Sequence, residues 1–121
     1  MKVARLVVPA VVAALAVAGV ASAAHSKASA LPTTRIGVSA TEYSFKLTKT
    51  KVPKGKIVFT IKNVGSEVHD FRVNGFPKSK FITGGASTTL ALKITKPGTY
   101  QYVCTIGEHG FKGMRGILTV K

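Results

Sequence analysis

The sequence predicts an all-β sandwich. Three observations carry that expectation. Apolar residues alternate with polar ones at period two through the C-terminal three quarters of the chain. Turn dipeptides punctuate these runs. No window carries an apolar stripe at helical spacing. With 121 residues, the chain has room for one domain rather than two, and an apolar fraction of 45% is ordinary for a packed core.

The opening residues read as an address. Lys2 and Arg5 give a short positive start, Leu6 to Val20 is almost wholly apolar, and Ala21-Ser22-Ala23 fits the small-x-small site of signal peptidase. Residues 1–23 are therefore expected to be a signal peptide, with Ala28-Ser29-Ala30 as a second cleavage site. The rival is an uncleaved membrane anchor, since the apolar run approaches the length of a span. Residues 24–34, rich in Ala, Ser, Lys and Pro, read as a flexible leader, and residues 35–121 as the folded domain.

The strands follow in order. Tyr43, Phe45 and Leu47 share a face opposite Glu42, Ser44 and Lys46. Ile57, Phe59 and Ile61 share one opposite Lys56 and Lys62. His69, Phe71 and Val73 share another, which directs His69 toward the core if that face points inward. Leu90, Leu92 and Ile94 alternate with Ala91 and Lys93. Tyr100, Tyr102 and Cys104 form a further face, and Leu118 and Val120 close the chain. Pro53-Lys54-Gly55, Asn63-Val64-Gly65, Asn74-Gly75, Gly84-Gly85 and Pro97-Gly98 separate these runs. The arrangement points to an antiparallel sandwich or barrel.

Composition excludes several functions. One Cys forbids an internal disulfide and a four-thiolate zinc site. Glu42, Glu67, Asp70 and Glu108 are the only acidic residues, too few and scattered for a calcium loop. The formal charge of +14 falls to +12 once Lys2 and Arg5 are removed. The remaining basic residues are spread along the chain and not gathered in one stripe, which argues against nucleic acid. They read as solvated strand faces, or as a surface for an acidic partner.

The soft-metal donors are few and their spacing is regular. Cys104, His109 and Met114 follow a Cys-x4-His-x4-Met pattern between the last two strands, and His69 is the other histidine of the folded region. Thiolate and thioether favour Cu(I), whereas imidazole suits both copper oxidation states. Gly107, Gly110, Gly113 and Gly116 recur through this loop without a phosphate-loop ending, and read as backbone freedom around a metal.

Residues Pro97 to Val120, with the Cys-His-Met loop and the closing Gly116-Ile117-Leu118-Thr119-Val120 run, resemble the cupredoxins, the small blue-copper proteins. A weaker match covers Asn63 to Phe71, with its Asn-x-Gly turn before His69. The resemblance implies a Greek-key β-sandwich holding one type 1 copper. His69, Cys104 and His109 would be equatorial ligands and Met114 the weak axial one. Asp70, Thr105 and Asn63 would stand behind them. The family commonly has Asn where this chain has Asp70, and that residue ties its loop to the Ser or Thr after the Cys, here Thr105. Tyr100 matches the family's tyrosine-corner position.

The function implied is an exported, monomeric one-electron carrier, periplasmic or extracellular, and not an enzyme. Its partners would be c-type cytochromes or copper oxidases with acidic docking surfaces. Membrane association would arise only if the N-terminal segment stays attached. Phe111, with Phe76 or Phe81, would give an apolar patch around the His109 edge, flanked by Glu108 and Lys112. A carrier or buffer that delivers copper without transferring electrons is the alternative. A hydrolase is disfavoured, because adjacent His69 and Asp70 point to opposite strand faces and no Gly-x-Ser-x-Gly elbow is present.

Overall fold

Eight strands arise where the sequence alternates. They are β1 (Thr33–Thr41), β2 (Ser44–Leu47), β3 (Lys51–Val52), β4 (Gly55–Asn63), β5 (Arg72–Val73), β6 (Ser87–Ile94), β7 (Gly98–Val103) and β8 (Arg115–Val120). The computed structural model describes residues 30–121, together with Val3, Ala4 and Gly19. Apart from those three positions, the expected signal peptide and the leader before Ala30 lie outside the described residues.

The strands form two four-stranded sheets, ordered β2-β1-β4-β6 and β3-β8-β7-β5. The fold is the expected all-β Greek-key sandwich. Period-two alternation sends Ile57, Phe59 and Ile61 of β4 inward and leaves Lys56, Thr60 and Lys62 exposed. Ile36, Val38 and Ala40 of β1 meet them from the adjacent strand, and Leu118 and Val120 of β8 face them from the second sheet. Each large side chain so buried contributes about 1.5–3 kcal/mol relative to exposure. The aromatic centre joins the sheets: Phe71 packs on Phe59 at 4.9 Å, on Phe45 at 5.2 Å and on Tyr102 at 5.5 Å between ring centroids. The Tyr100 hydroxyl donates to the Lys96 carbonyl at 2.5 Å.

Two expectations are corrected. The sandwich is not purely antiparallel, since β1 pairs parallel with β4 and β3 parallel with β8. Alternation specifies which face is buried but carries no information on strand direction. Direction is set by connectivity: β3 lies in the opposite sheet, so the chain returns to β1 running the same way. The leader is also shorter than expected. Thr33 and Thr34 already pair with Lys56 and Ile57, where backbone pairing outweighs a segment composition that reads as loop.

Candidate metal centre

At one end of the sandwich, three connections converge: the β1–β2 turn, the 64–71 segment, and the loop from Cys104 to Met114. Cys104 immediately follows β7, and Met114 immediately precedes β8. Their backbones are joined, the Cys104 N–H donating to the Met114 carbonyl at 3.0 Å. The loop between them is a series of turns. The His109 N–H donates to Ile106 and the Met114 N–H to His109, at 3.0 and 3.1 Å. Gly107 and Gly113 take φ values of +47° and +105°, where side chains other than glycine are strained. Gly110 is there for room instead, because a Cβ would stand 2.9 Å from Val103 Cγ2. Backbone freedom therefore accounts for only two of the four loop glycines: Gly116 lies in β8, outside the left-handed region.

His69 is placed by a β-bridge. Its N–H and carbonyl exchange hydrogen bonds with Ile82 at 3.1 and 2.8 Å. Asn63 fixes the turn ahead of it, its side-chain amide donating to the Glu67 and Ile82 carbonyls at 2.7 and 2.8 Å. The Asn63 side-chain oxygen accepts from the Gly65 N–H at 2.9 Å. The hydrogen bonds of this buried side chain go to Glu67, Ile82 and Gly65 and not to a donor of the cluster. Asn63 acts on the segment that carries one.

The side chains then meet. His69 Nδ1 lies 3.2 Å from His109 Nδ1 and 3.9 Å from Cys104 Sγ, and His109 Nδ1 lies 3.6 Å from the same sulfur. A first-row ion at about 2.0 Å from imidazole and about 2.3 Å from thiolate, in a trigonal plane, separates its donors by about 3.5–3.7 Å. The three donors fit such an ion. Met114 is fully buried beside them in sequence, His69 and Cys104 are buried, and His109 alone reaches solvent with 12% of its side chain.

Carboxylates stand behind both imidazoles. His69 Nε2 is 3.0 Å from Glu42 Oε1, so the ring donates from Nε2 and leaves the Nδ1 lone pair facing the cluster. Glu42 is itself held by the Glu67 and Ser66 N–H groups at 2.8 and 3.0 Å. The Glu67 N–H and the other donors around it keep the Glu42 carboxyl below the usual carboxylate range, against a smaller opposing effect of burial. His109 Nε2 is 3.7 Å from Glu67 Oε2. Asp70 is buried, accepts from the Thr105 N–H at 2.6 Å and from the Thr105 hydroxyl, and has Lys78 Nζ at 3.8 Å. Burial pushes the Cys104 thiol up, partly offset by the Asp70 and Ile106 N–H groups.

Three of the four donors expected from the sequence, His69, Cys104 and His109, are thus brought to one place, with Asp70 and Thr105 adjoining, and Met114 is buried at the end of the same loop, its carbonyl bonded to the Cys104 N–H. The sequence reading missed Glu42, Glu67 and Tyr43. Tyr43 packs against the core with Phe45 and Leu47, and its ring also lies on His109 at 5.0 Å and carries Lys112 Nζ 4.4 Å above it. The scarcity of carboxylates was a usable signal: three of the only four converge here. His69 and Asp70 face Glu42 and Thr105 respectively, which is no hydrolytic triad.

No curated protein matches the chain in sequence. Solved structures do match in fold. Reduced auracyanin from Roseiflexus castenholzii is 24% identical, with 74% of this chain and 96% of that one covered at a TM-score of 0.59. Rusticyanin from Thiobacillus ferrooxidans is 23% identical, with 74% and 77% covered at 0.62. Auracyanin A from Chloroflexus aurantiacus, described as a blue copper protein, is 16% identical, with 74% and 100% covered at 0.59. His69, Cys104, His109 and Met114 form the arrangement of one type 1 copper site, and the chain belongs to the family of the cupredoxin-like domain, whose model matches residues 10–120.

Proposed function

We propose that the protein is an exported one-electron carrier, a monomer that makes and breaks no substrate bond. His69, Cys104 and His109 would hold the metal in a plane, with the Met114 thioether as the weak axial donor. When bound, copper supplies a one-electron Cu(II)/Cu(I) couple. The chain's own residues do the rest. Glu42 keeps the His69 proton on Nε2 and the ring in place. Asp70 and Thr105 clamp the His69 segment to the Cys104 segment. Burial of Cys104 and Met114 excludes water, and the partly exposed His109 leaves one edge open to solvent.

The observation that carries this reading is the convergence of three buried or half-buried donors of mixed softness within 4.8 Å. They are held by a sheet bridge and a strand-to-strand loop, and such a scaffold limits rearrangement between oxidation states. Export rests on the signal peptide expected over residues 1–23. Partners of the c-type cytochrome or copper oxidase class rest on the basic charge and on the open histidine edge.

The test is spectroscopic. The copper-loaded protein should show intense visible thiolate-to-Cu(II) absorption and narrow copper hyperfine splitting, both lost on reduction. Cys104→Ser should abolish the band. Copper binding without the band, or rapid loss of copper to a chelator with no electron exchange, would favour the delivery reading instead.

A further inference from the structure

The proposed carrier function concerns the donor cluster and its His109 edge. A different surface lies on the Cys104 side. Arg72 of β5, Val103 of β7 and Arg115 of β8 form one cross-strand row, since Val103 pairs with both arginines. Residues paired in this way point to the same face of a sheet. Both arginines are exposed and Val103 between them is half-buried. The row opens into a cleft of about 230 Å³ lined by Arg72, Val103, Cys104, Thr105, Phe111 and Arg115, among others. Phe111 on its rim is 88% exposed.

Among the described residues, neither guanidinium has a carboxylate within ion-pair distance. Three of the four carboxylates, Glu42, Glu67 and Asp70, are engaged around His69, His109 and Thr105, and the fourth, Glu108, is exposed and forms no ion pair with either arginine. Neighbouring strands lie about 4.8 Å apart, so arginines on the two strands flanking β7 are separated by about 10 Å at the backbone. From there, two planar forks can close on one carboxylate between them. An exposed aromatic at the rim adds the apolar contact that anchors a protein interface.

Resting on the carrier reading, we propose that the Arg72–Val103–Arg115 row is the docking cleft for an acidic redox protein, whose surface carboxylate enters between the two arginines with Phe111 against its rim. The occupant then lies beside residues 103–105, the segment that carries Cys104. The cleft sets partner choice by charge, and its lining includes Gly107 and Gly110 of the loop that carries His109.

The proposal is tested with both proteins oxidised, so that no electron moves and only docking is read. The copper-loaded protein is titrated with an acidic c-type cytochrome at low ionic strength. Arg72→Gln/Arg115→Gln should weaken binding at least tenfold and flatten its salt dependence. Lys56→Gln/Lys93→Gln removes the same charge from a cross-strand pair on the other sheet and should weaken binding less than threefold. Equal weakening by both pairs, no weakening by the arginine pair, or no binding by the parent protein overturns the proposal. A neutral hydroquinone reports separately on the carrier reading. If it fails to reduce the parent copper protein, that reading falls while the docking result still stands or falls on the titration.

Discussion

His69 and Glu42 are joined by a hydrogen bond of 3.0 Å from Nε2 to Oε1 across the mouth of the β1–β2 turn. The bond decides which imidazole nitrogen is free for a metal. The carboxylate is not free to leave, because two backbone N–H groups of the 66–67 segment also hold it. Glu42→Gln keeps an acceptor but removes the charge. Copper should be retained and the reduction potential should rise, since a negative charge near the site favours the oxidised ion. Glu42→Ala removes the acceptor as well and should cost about 10- to 100-fold in metal affinity, as loss of such outer partners does. Spectroelectrochemistry and competitive chelation measure the two effects. An unchanged potential in Glu42→Gln would show that the carboxylate only orients the ring.

Asp70 offers a second, independent charge test. Asp70→Asn restores the residue common in the cupredoxins. An amide oxygen can still accept from Thr105, so the clamp between the two ligand-bearing segments should survive. The partial neutralisation by Lys78, which is 49% exposed, should then matter less. We expect copper to be retained and the potential to rise by some tens of millivolts; about 60 mV is a tenfold shift in a one-electron equilibrium. A fall in potential, read by the same electrochemistry, would mean that the clamp itself had loosened.

Asn63 shows how a residue remote from the donors can govern them. Its fully buried amide satisfies two carbonyls, one of them the partner of the His69 bridge. Asn63→Ala removes three hydrogen bonds, leaves the Ile82 carbonyl with the His69 N–H alone, and should destabilise the metal-free fold by about 1–3 kcal/mol. Urea unfolding reads the loss. Metal affinity should fall with it, because the His69 segment loses its anchor. Asn63→Asp should not restore stability, since a carboxylate supplies no N–H to those carbonyls.

The donors were legible in the sequence because each is chemically rare there: Cys104 is the only Cys, and Met114 the only Met after the first residue. The strand faces were legible because alternation is a local property. Pairing direction was not, because β1 meets β4 through a connection that visits the other sheet. Nor was the role of Glu42. It lies 27 residues from His69, and as a polar residue beside a strand it looks like any solvated glutamate. The Arg72–Val103–Arg115 row was hidden for the same reason, since cross-strand register has no local signature.

Gly116 gives a test of packing that leaves the donors untouched. It sits opposite Tyr102 in the β7–β8 ladder, and a Cβ there would run into the Tyr102 ring and hydroxyl. The ring cannot move away freely, being stacked on Phe71 and met edge-on by Phe45. Gly116→Ala should therefore destabilise the fold by about 1–3 kcal/mol, the usual cost of overpacking. In a domain of this size, each kcal/mol lowers the melting temperature by about 4–8 °C. Tyr102→Leu removes the obstructing ring, so the double variant should be less destabilised than the two single changes added together. Thermal unfolding of the metal-free protein measures all three. Strict additivity would show that the glycine is required by the strand backbone and not by the ring lying over it.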